Sequence, residues 1–263
     1  MIIIILTFLG LCFGSFVAAL VWRLKQSDLS IFRGRSICPN CRHVLGPFDL
    51  IPIVSWVMLK GQCRYCHKTI SWQYPLIEAS TALLFLVSYL WWPQTLRGVG
   101  LFDFMIWLIL IIGFVALTVY DLRWRILPNS LVYILLGVSI VKVLADVLVF
   151  KNDHSSLLNP LWGVLIIAGL FYGLFQISKG RWIGGGDVKL GVCLGLLSYS
   201  PLTSLLLLFI ASTSGSAIST VLLVSKKFNR KSQIPFGPFL ILGAIVCELF
   251  GQAIVNYLKN HIS

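Results

Sequence analysis

The sequence predicts an all-α polytopic membrane protein with one small loop domain outside the membrane. Of its 263 residues, 58% are hydrophobic and only 11% are charged, and the mean hydropathy is +0.91. Water-soluble globular domains do not have such a composition. The apolar residues also come in runs that are long enough to cross a bilayer as helices. Residues 23–73 form the one sizeable polar segment between two such runs.

The apolar runs predict about eight transmembrane helices. The first run has no basic segment before it, which favours a retained helix over a cleaved signal peptide. The sixth run is short, and the hydropathy leaves open whether it is separate from the seventh at Ser200-Pro201. The predicted spans lie near residues 2–22, 74–92, 101–120, 129–149, 161–178, 188–199, 202–224 and 236–257.

The charge distribution predicts the orientation and the partner of the loops. The net charge is +12, and the basic residues lie in short loops rather than in one continuous stripe. This favours anionic lipid headgroups over nucleic acid as the partner. If the first residue lies outside, most Lys and Arg residues fall in cytoplasmic loops, as the positive-inside rule requires. These loops are residues 23–73, 121–128, 179–187 and 225–235.

Four cysteines in the first of these loops predict a metal site. They form the pattern C-x2-C-x21-C-x2-C, in which Cys38 and Cys41 are the first pair and Cys63 and Cys66 the second. Two such pairs complete a tetrahedral thiolate shell for Zn²⁺, and the spacing is close to that of zinc ribbons. A loop of this size has little core of its own, so a structural Zn²⁺ would supply folding free energy.

Three other interpretations of the cysteines stay open. Two disulfides would need an oxidising compartment, whereas the charge pattern puts this loop in the reducing cytoplasm. The string Cys63-Arg64-Tyr65-Cys66-His67 matches a haem-attachment pattern, although c-type haem is attached on the outer side. Reactive thiols are the third interpretation. Cys12, Cys193 and Cys247 lie in apolar spans and are expected to be small packing residues.

Asp121 and Asp187 are the candidate catalytic residues. An ionisable group at membrane depth is costly and indicates a functional site by default. Asp121 closes the third apolar run and Asp187 opens the sixth, directly after Gly184-Gly185-Gly186, so both fall on the cytoplasmic side. Two carboxylates suffice to hydrolyse a peptide bond without a metal. The alternatives are pairing of Asp121 with Arg123 or Arg125, and a helix N-cap role for Asp187.

Other polar and helix-breaking residues complete the candidate site. Glu78 is expected either to face the same cytoplasmic cavity or to pair with a loop cation near the helix end. Pro235, Gly237 and Pro238 suggest a broken helix start, which membranes tolerate where backbone lines a cavity. Asp103 and Asp146 lie near the outer ends of their spans, where a carboxylate is expected to reach water.

A series of motifs extends over nearly the whole chain. They are Gly14-Ser15-Phe16; Cys38-Pro39-x-Cys41; Asp49 to Trp56; Gly61-x-Cys63-Arg64-x-Cys66; Ile70-Ser71; Tyr74-Pro75-x-x-Glu78; Asp121 with Ile126-x-Pro128; Gly184-Gly185-Gly186-Asp187-Val188-Lys189; and Pro235-Phe236-Gly237-Pro238-Phe239. Together they resemble one known family, the type IV prepilin peptidases, which are grouped with the GxGD intramembrane aspartyl proteases. Val17-Ala18-Ala19 and Lys25 depart from the usual opening motif of the family and are more similar to its competence-pilin branch in Gram-positive bacteria.

The resemblance implies an endopeptidase of the bacterial cytoplasmic membrane that removes the short basic leader of prepilins or pseudopilins at the cytoplasmic face. Asp121 and Asp187 match the catalytic pair of the family, and the four cysteines match its cysteine motifs. The implied active-site loops contain Gly184, Gly185, Gly186, Lys189, Glu78, Pro235, Gly237 and Pro238. Many members also methylate the new amino terminus with S-adenosylmethionine.

The implied organisation has three parts, which are a first transmembrane helix over 1–22, a cytoplasmic four-cysteine domain over 23–73 and a membrane-embedded peptidase domain over 74–263.

Two other functional classes compete with a peptidase. A transporter also carries paired intramembrane acids, but it should show internal repeats, and none is convincing here. A non-catalytic zinc-loop scaffold would leave the glycine triplet and the matched depth of the two aspartates unexplained.

Overall fold

A computed structural model describes residues 1–26, 35–151, 155–198, 200–225 and 234–262. In these ranges the chain forms nine α-helices and no β-strand, and two isolated antiparallel bridges join Ile37 to Val44 and Gln62 to Thr69. The all-α prediction is therefore confirmed. The helices are α1 (Ile2–Lys25), α2 (Val54–Met58), α3 (Gln73–Leu90), α4 (Val99–Trp124), α5 (Asn129–Ala145), α6 (Ser155–Ser178), α7 (Gly185–Leu196), α8 (Pro201–Val224) and α9 (Gly237–Ile262).

Every predicted span coincides with one of these helices. Six of them, α1, α4, α5, α6, α8 and α9, are long and apolar enough to cross a membrane. The predicted spans 74–92 and 188–199 correspond to α3 and α7, which are not among the six, so the number eight stays a prediction. Parts of the predicted loops 23–73 and 225–235, namely residues 27–34 and 226–233, lie outside the described residues.

The separation of α7 from α8, which the hydropathy left open, is present in the structure. Ser200 caps α8, since its Oγ accepts a hydrogen bond from the Thr203 N–H at 3.2 Å. Pro201 takes the first helical position, where the missing N–H of proline costs nothing. A helix start is thus encoded locally at the point where the two apolar runs meet.

The chain divides into two compact units. The first contains Met1–Trp91 and Ile111–Val119, and the second contains Trp92–Leu110 and Tyr120–Ser263. In the first unit α1 packs along α3 through two glycines. A Cβ placed on Gly10 would lie 2.5 Å from the Cα of Ala82, and one on Gly14 would lie 2.5 Å from the Cα of Glu78. Small residues at these positions allow the two backbones to approach closely, as membrane helices often require.

In the second unit α6 and α7 approach each other in the same way. A Cβ on Gly163 would collide with the backbone oxygen of Gly195, and a Cβ on Gly195 would lie 2.6 Å from the Val164 backbone nitrogen. This contact fixes α7, the helix that carries Asp187. The short, glycine-rich α7 therefore gains its position from backbone packing against α6.

The second unit also buries a group of charges between its helices. Lys142 Nζ lies 3.2 Å from Asp146 Oδ2 and 3.6 Å from Asp103 Oδ1, and Glu248 interacts with it electrostatically. Asp103 is 0% exposed and Asp146 is 9% exposed. The expectation that these two carboxylates reach water is therefore wrong. They are buried because Lys142 supplies the opposite charge within the protein.

We predict that Gly163→Ala destabilises the second unit by about 1–3 kcal/mol, because the added methyl group overpacks the contact between α6 and α7. The measurement is the free energy of unfolding of the purified protein in mixed micelles. Gly169→Ala in the same helix is the matched control, since a Cβ there would meet nothing within 4 Å. Equal stability of the two variants would contradict the close packing.

Candidate active site and metal centre

Asp121 lies inside a helix rather than just after one. The structure extends α4 beyond the predicted end at residue 120 to Trp124, and Arg125 ends it in the left-handed conformation with φ 55°. Asp121 is only 5% exposed. Among the described residues it forms no ion pair, so the alternative pairing with Arg123 or Arg125 is not observed. Its Oδ2 instead accepts a hydrogen bond of 3.2 Å from the Gly237 N–H.

Asp187 lies in the first turn of α7. Gly184 occupies the N-cap position, and α7 begins at Gly185. The Asp187 N–H donates to the Gly184 carbonyl at 3.0 Å, so this residue is already part of the helix. The alternative interpretation of Asp187 as the N-cap residue is therefore wrong, although its charge still complements the positive end of the helix dipole.

The two carboxylates share one cavity of the second unit. Its volume is about 440 Å³, which is in the range of sites that bind small ligands or short peptide segments. Asp121 and Asp187 are also close enough to interact electrostatically. The lining residues are Asp121, Arg125, Ile126, Leu127, Gly180, Arg181, Trp182, Ile183, Gly184, Gly185, Gly186, Asp187, Ile234, Pro235 and Phe236.

Leu127 is packed against the two glycines that stand next to the carboxylates. A Cβ on Gly186 would lie 2.9 Å from the Leu127 Cβ, and a Cβ on Gly237 would lie 3.4 Å from the Leu127 Cδ2. The Gly237 Cβ would also lie 2.7 Å from Asp121 Oδ2. Glycine at these two positions therefore leaves room for both Leu127 and the Asp121 carboxylate.

Of the predicted site residues in the second unit, the structure brings most together, and Lys189 and Pro238 do not line the cavity. The three glycines and Pro235 line the cavity with the aspartates, and Gly237 bonds Asp121. Lys189 is outside the lining and donates to Asn129 Oδ1 at 2.8 Å. Pro238 follows Gly237 in the first turn of α9 and is not in the lining either. Glu78 belongs to the first unit, where its Oε2 accepts the Ile53 N–H at 2.7 Å.

Several lining residues were not predicted as site residues from the sequence, and Arg125 was considered there only as an ion-pair partner of Asp121. Arg125 and Arg181 add two guanidinium groups, and Leu127 and Ile183 add apolar surface. The sequence signal that could have identified them as site residues was their position near the two aspartates, in the loops 121–128 and 179–187. Ordinary loop residues of this kind become site residues only when the loops fold against each other.

The four cysteines of the loop converge on one point. Their sulfur atoms all lie within 4.8 Å of one another, and the Sγ atoms of Cys38 and Cys66 are 4.0 Å apart. Four sulfurs bound to Zn²⁺ at about 2.3 Å would be about 3.8 Å apart at the corners of a tetrahedron. All four cysteines are free of disulfides. The cluster therefore fits a tetrahedral metal ion.

The two cysteine pairs have the same backbone geometry. The Cys38 N–H donates a hydrogen bond to the His43 carbonyl, and the Cys38 carbonyl accepts one from the Arg42 N–H, each at 2.9 Å. Cys63 makes the matching bonds with Lys68 and His67 at 2.9 Å. Arg42 and His67, directly after the second cysteine of each pair, both have positive φ. The two turns thus form a repeated knuckle that presents its thiols to a common centre.

Asp49 connects the second knuckle to the neighbouring turn. Its Oδ1 lies 2.7 Å from Arg64 Nε, and its Oδ2 accepts bonds from the Gly46 N–H and the Tyr65 hydroxyl. Burial alone would raise the pKa of Asp49, but the hydrogen bond and charge of Arg64 and the Gly46 N–H hold that pKa below its ordinary value. The carboxylate therefore stays ionised and fixes the loop around the cysteines.

We predict that the double variant Cys38→Ser/Cys63→Ser loses bound zinc, because one ligand of each knuckle is removed. The measurement is the number of zinc ions per chain in purified protein by mass spectrometry of the metal. Cys12→Ser is the control, since this residue lies in α1 away from the cluster. Unchanged zinc in the double variant would reject the site.

Comparisons with known proteins agree over almost the entire chain. Residues 8–92 match the Bacterial Peptidase A24 N-terminal domain, and residues 108–220 match the Type IV leader peptidase family. No solved structure matches the chain. The sequence is 31% identical over 259 residues to a prepilin leader peptidase/N-methyltransferase of Pectobacterium carotovorum, with 90% of this chain and 89% of the relative covered.

Two further relatives extend this result to other bacteria. A prepilin leader peptidase/N-methyltransferase of Bacillus subtilis is 30% identical over 255 residues, with 96% of both chains covered. A type 4 prepilin-like proteins leader peptide-processing enzyme of Escherichia coli is 32% identical over 257 residues, with 90% and 89% covered. Together with six apolar helices, these matches indicate a multi-pass protein of the bacterial inner membrane. The chain belongs to the type IV leader peptidase family.

Proposed function

We propose that this protein is an intramembrane aspartyl endopeptidase that removes the leader of prepilins or pseudopilins, with Asp121 and Asp187 as its catalytic pair. The observation that carries the proposal is that both carboxylates line one cavity. The names of relatives that are 31% and 32% identical support the choice of substrate. A non-catalytic scaffold does not account for this pair of carboxylates at one cavity, and the names of the relatives favour a peptidase over a transporter.

The chemistry follows from the pairing of the two acids. Two neighbouring carboxylates do not both ionise easily, so one holds a proton at neutral pH. The ionised aspartate takes a proton from a water molecule that attacks the scissile carbonyl carbon, and the protonated aspartate donates a hydrogen bond to the carbonyl oxygen. When the C–N bond breaks, that proton passes to the leaving amine. The two aspartates titrate as a pair.

The surroundings of the pair suit this reaction. The Gly237 N–H holds Asp121 Oδ2 in place, and the glycines at 184–186 leave the backbone next to Asp187 open to a substrate. The positive-inside rule supports a cytoplasmic position for the loops that contain Asp121 and Asp187. A prepilin would therefore place its leader in the cytoplasm and its apolar helix in the bilayer, with the scissile bond at the cavity.

The proposal assigns the other parts of the chain as well. Residues 1–22 form the first membrane helix, 23–73 a cytoplasmic domain whose Cys38, Cys41, Cys63 and Cys66 hold a structural Zn²⁺, and 74–263 the peptidase domain. The Zn²⁺ would stabilise the two knuckles against unfolding. In this assignment Lys189 and Pro238 belong to the peptidase domain without lining the cavity, and Glu78 holds the Ile53 backbone in the first unit.

We propose N-methylation of the new amino terminus as a second activity. The support is the N-methyltransferase in the printed names of relatives from Pectobacterium carotovorum and Bacillus subtilis. S-adenosylmethionine would donate its methyl group to the free amine, which loses a proton, and S-adenosylhomocysteine would leave.

We predict that Asp121→Asn and Asp187→Asn each reduce leader cleavage by about 10²–10⁴-fold, because an amide performs neither half of the proton transfer. The assay is conversion of a prepilin substrate by the enzyme in membranes. Mass spectrometry of the processed amino terminus reports the cleavage position and methylation together.

Asp103→Asn is the matched control for these variants, because Asp103 is also a buried aspartate of the second unit but does not line the cavity. It is expected to retain cleavage. Full leader removal by either Asp121→Asn or Asp187→Asn, at normal expression, would exclude the catalytic pair.

We also predict that Gly237→Ala reduces cleavage by about 10²-fold with little loss of folded protein. The added methyl group would lie 2.7 Å from Asp121 Oδ2, which is too close, so the Asp121 carboxylate has to move. Gly251→Ala in the same helix is the control, because its Cβ would make only an ordinary contact of 3.5 Å with Cys247. The rates of both variants are compared with their thermal stability. An active Gly237→Ala enzyme would show that the position of Asp121 does not limit catalysis.

A further inference from the structure

The loop domain exposes an apolar stripe on residues 51–58, next to the first turns of α3. Ile51, Val54, Val57 and Met58 are all exposed, with Met58 at 77%, and the last three lie in the short helix α2. Large apolar side chains this close together on a surface indicate a contact with something apolar.

Three contacts fix this segment beside α3. The rings of Trp56 and Trp72 are 4.1 Å apart, and the Trp56 Nε1–H donates to the Ile70 carbonyl at 3.2 Å. The Ile53 N–H donates to Glu78 Oε2 at 2.7 Å. Glu78 follows Trp72 by six residues, about 9 Å along a helix axis. The segment therefore lies alongside the first two turns of α3 rather than beyond its end.

The packing of α1 against α3 gives the depth of this segment. Gly14 of α1 is in contact with the backbone of Glu78, and α1, which is long and apolar enough to cross a membrane, runs over Ile2–Lys25. Gly14 is eleven residues from Lys25, about 16 Å along the helix. Half of the hydrocarbon thickness is about 15 Å. Ile53, which is bonded to Glu78, is thus at membrane depth.

The same contact explains how a non-helical residue is tolerated there. Ile53 has φ 59°, an unusual conformation for a β-branched side chain, and it precedes the first turn of α2. Its N–H would be unpaired in hydrocarbon, where no water replaces the missing bond. The Glu78 carboxylate, only 7% exposed, provides the acceptor. Glu78 therefore anchors the backbone of this segment inside the membrane region.

The surroundings of the stripe agree with lipid as its partner. Leu76 and Leu83 of α3 are exposed at a spacing of seven residues, so α3 also presents an apolar surface of its own. The same loop carries exposed cations at Lys60 and Lys68, which complement anionic headgroups.

We propose that residues 51–58 form a re-entrant segment that contacts the acyl chains of the leaflet on the four-cysteine side. Glu78 holds its backbone, and the neighbouring basic residues meet the headgroups. The four-cysteine domain is thereby attached to the bilayer through residues 51–58, in addition to its connections to α1 and α3. This proposal concerns lipid contact and does not depend on the peptidase activity.

The test uses a photo-crosslinking side chain in the full-length protein. One variant is Met58→p-benzoylphenylalanine, and a second carries the same replacement at Val57, which is also an exposed apolar residue of α2. The control is Lys68→p-benzoylphenylalanine, an exposed polar position of the same domain. The proteins are placed in nanodiscs of phosphatidylethanolamine and phosphatidylglycerol, irradiated and analysed by mass spectrometry, with unchanged thermal stability as the folding criterion.

We expect lipid adducts at positions 57 and 58 to be several-fold more abundant than at position 68, with or without a prepilin. Equal yields at all three positions would overturn the proposal. Adducts to the prepilin that replace the lipid adducts would show instead that the stripe is a docking surface for the substrate. Glu78→Leu, which removes the acceptor for Ile53, is expected to lower the lipid yield at position 58, and an unchanged yield would reject the anchoring role of Glu78.

Discussion

Inside a bilayer no water is present to solvate a charge or an unpaired amide, so every buried polar group of this chain has to find a partner within the protein. The requirement is met at three places. Lys142 lies between Asp103 and Asp146, the Glu78 carboxylate accepts the Ile53 N–H, and the Asp121 carboxylate accepts the Gly237 N–H. The contacts of Lys142 with Asp103, of Glu78 with Ile53 and of Asp121 with Gly237 join segments that are separate in sequence, so satisfying polar groups also fixes the packing.

The contact between Asp121 and Gly237 has the largest consequence for the site. It joins the last turn of α4 to the start of α9, and Leu127 packs on Gly237 and on Gly186 of α7. Three helix ends therefore meet around one cavity. Glycine is needed at both positions because any side chain would occupy the space of Leu127 or of the carboxylate. The same geometry keeps Asp121 and Asp187 on one cavity wall.

Much of this arrangement could be predicted from local patterns. The apolar runs located every long helix among the described residues, and the spacing of the four cysteines predicted the cluster that their sulfur atoms form. The errors have one common cause, which is that helix ends and partners depend on contacts made after folding. The helix α4 continues through Asp121 to Trp124, Gly184 rather than Asp187 caps α7, and Asp103 is buried against Lys142. No periodicity in the sequence contains this information.

The sequence by itself determined that the chain is helical and membrane-embedded. It also determined that four cysteines come in two pairs at metal-ligand spacing and that two aspartates lie at the ends of apolar runs. These features are accessible from the sequence because hydropathy and spacing are local properties. The tertiary structure decided that these aspartates line one cavity, that Arg125, Arg181 and Leu127 join them, and that Glu78 serves Ile53 in the other unit. Such neighbours are set by how helices pack laterally, and lateral distance is not written in the depth or order of the segments.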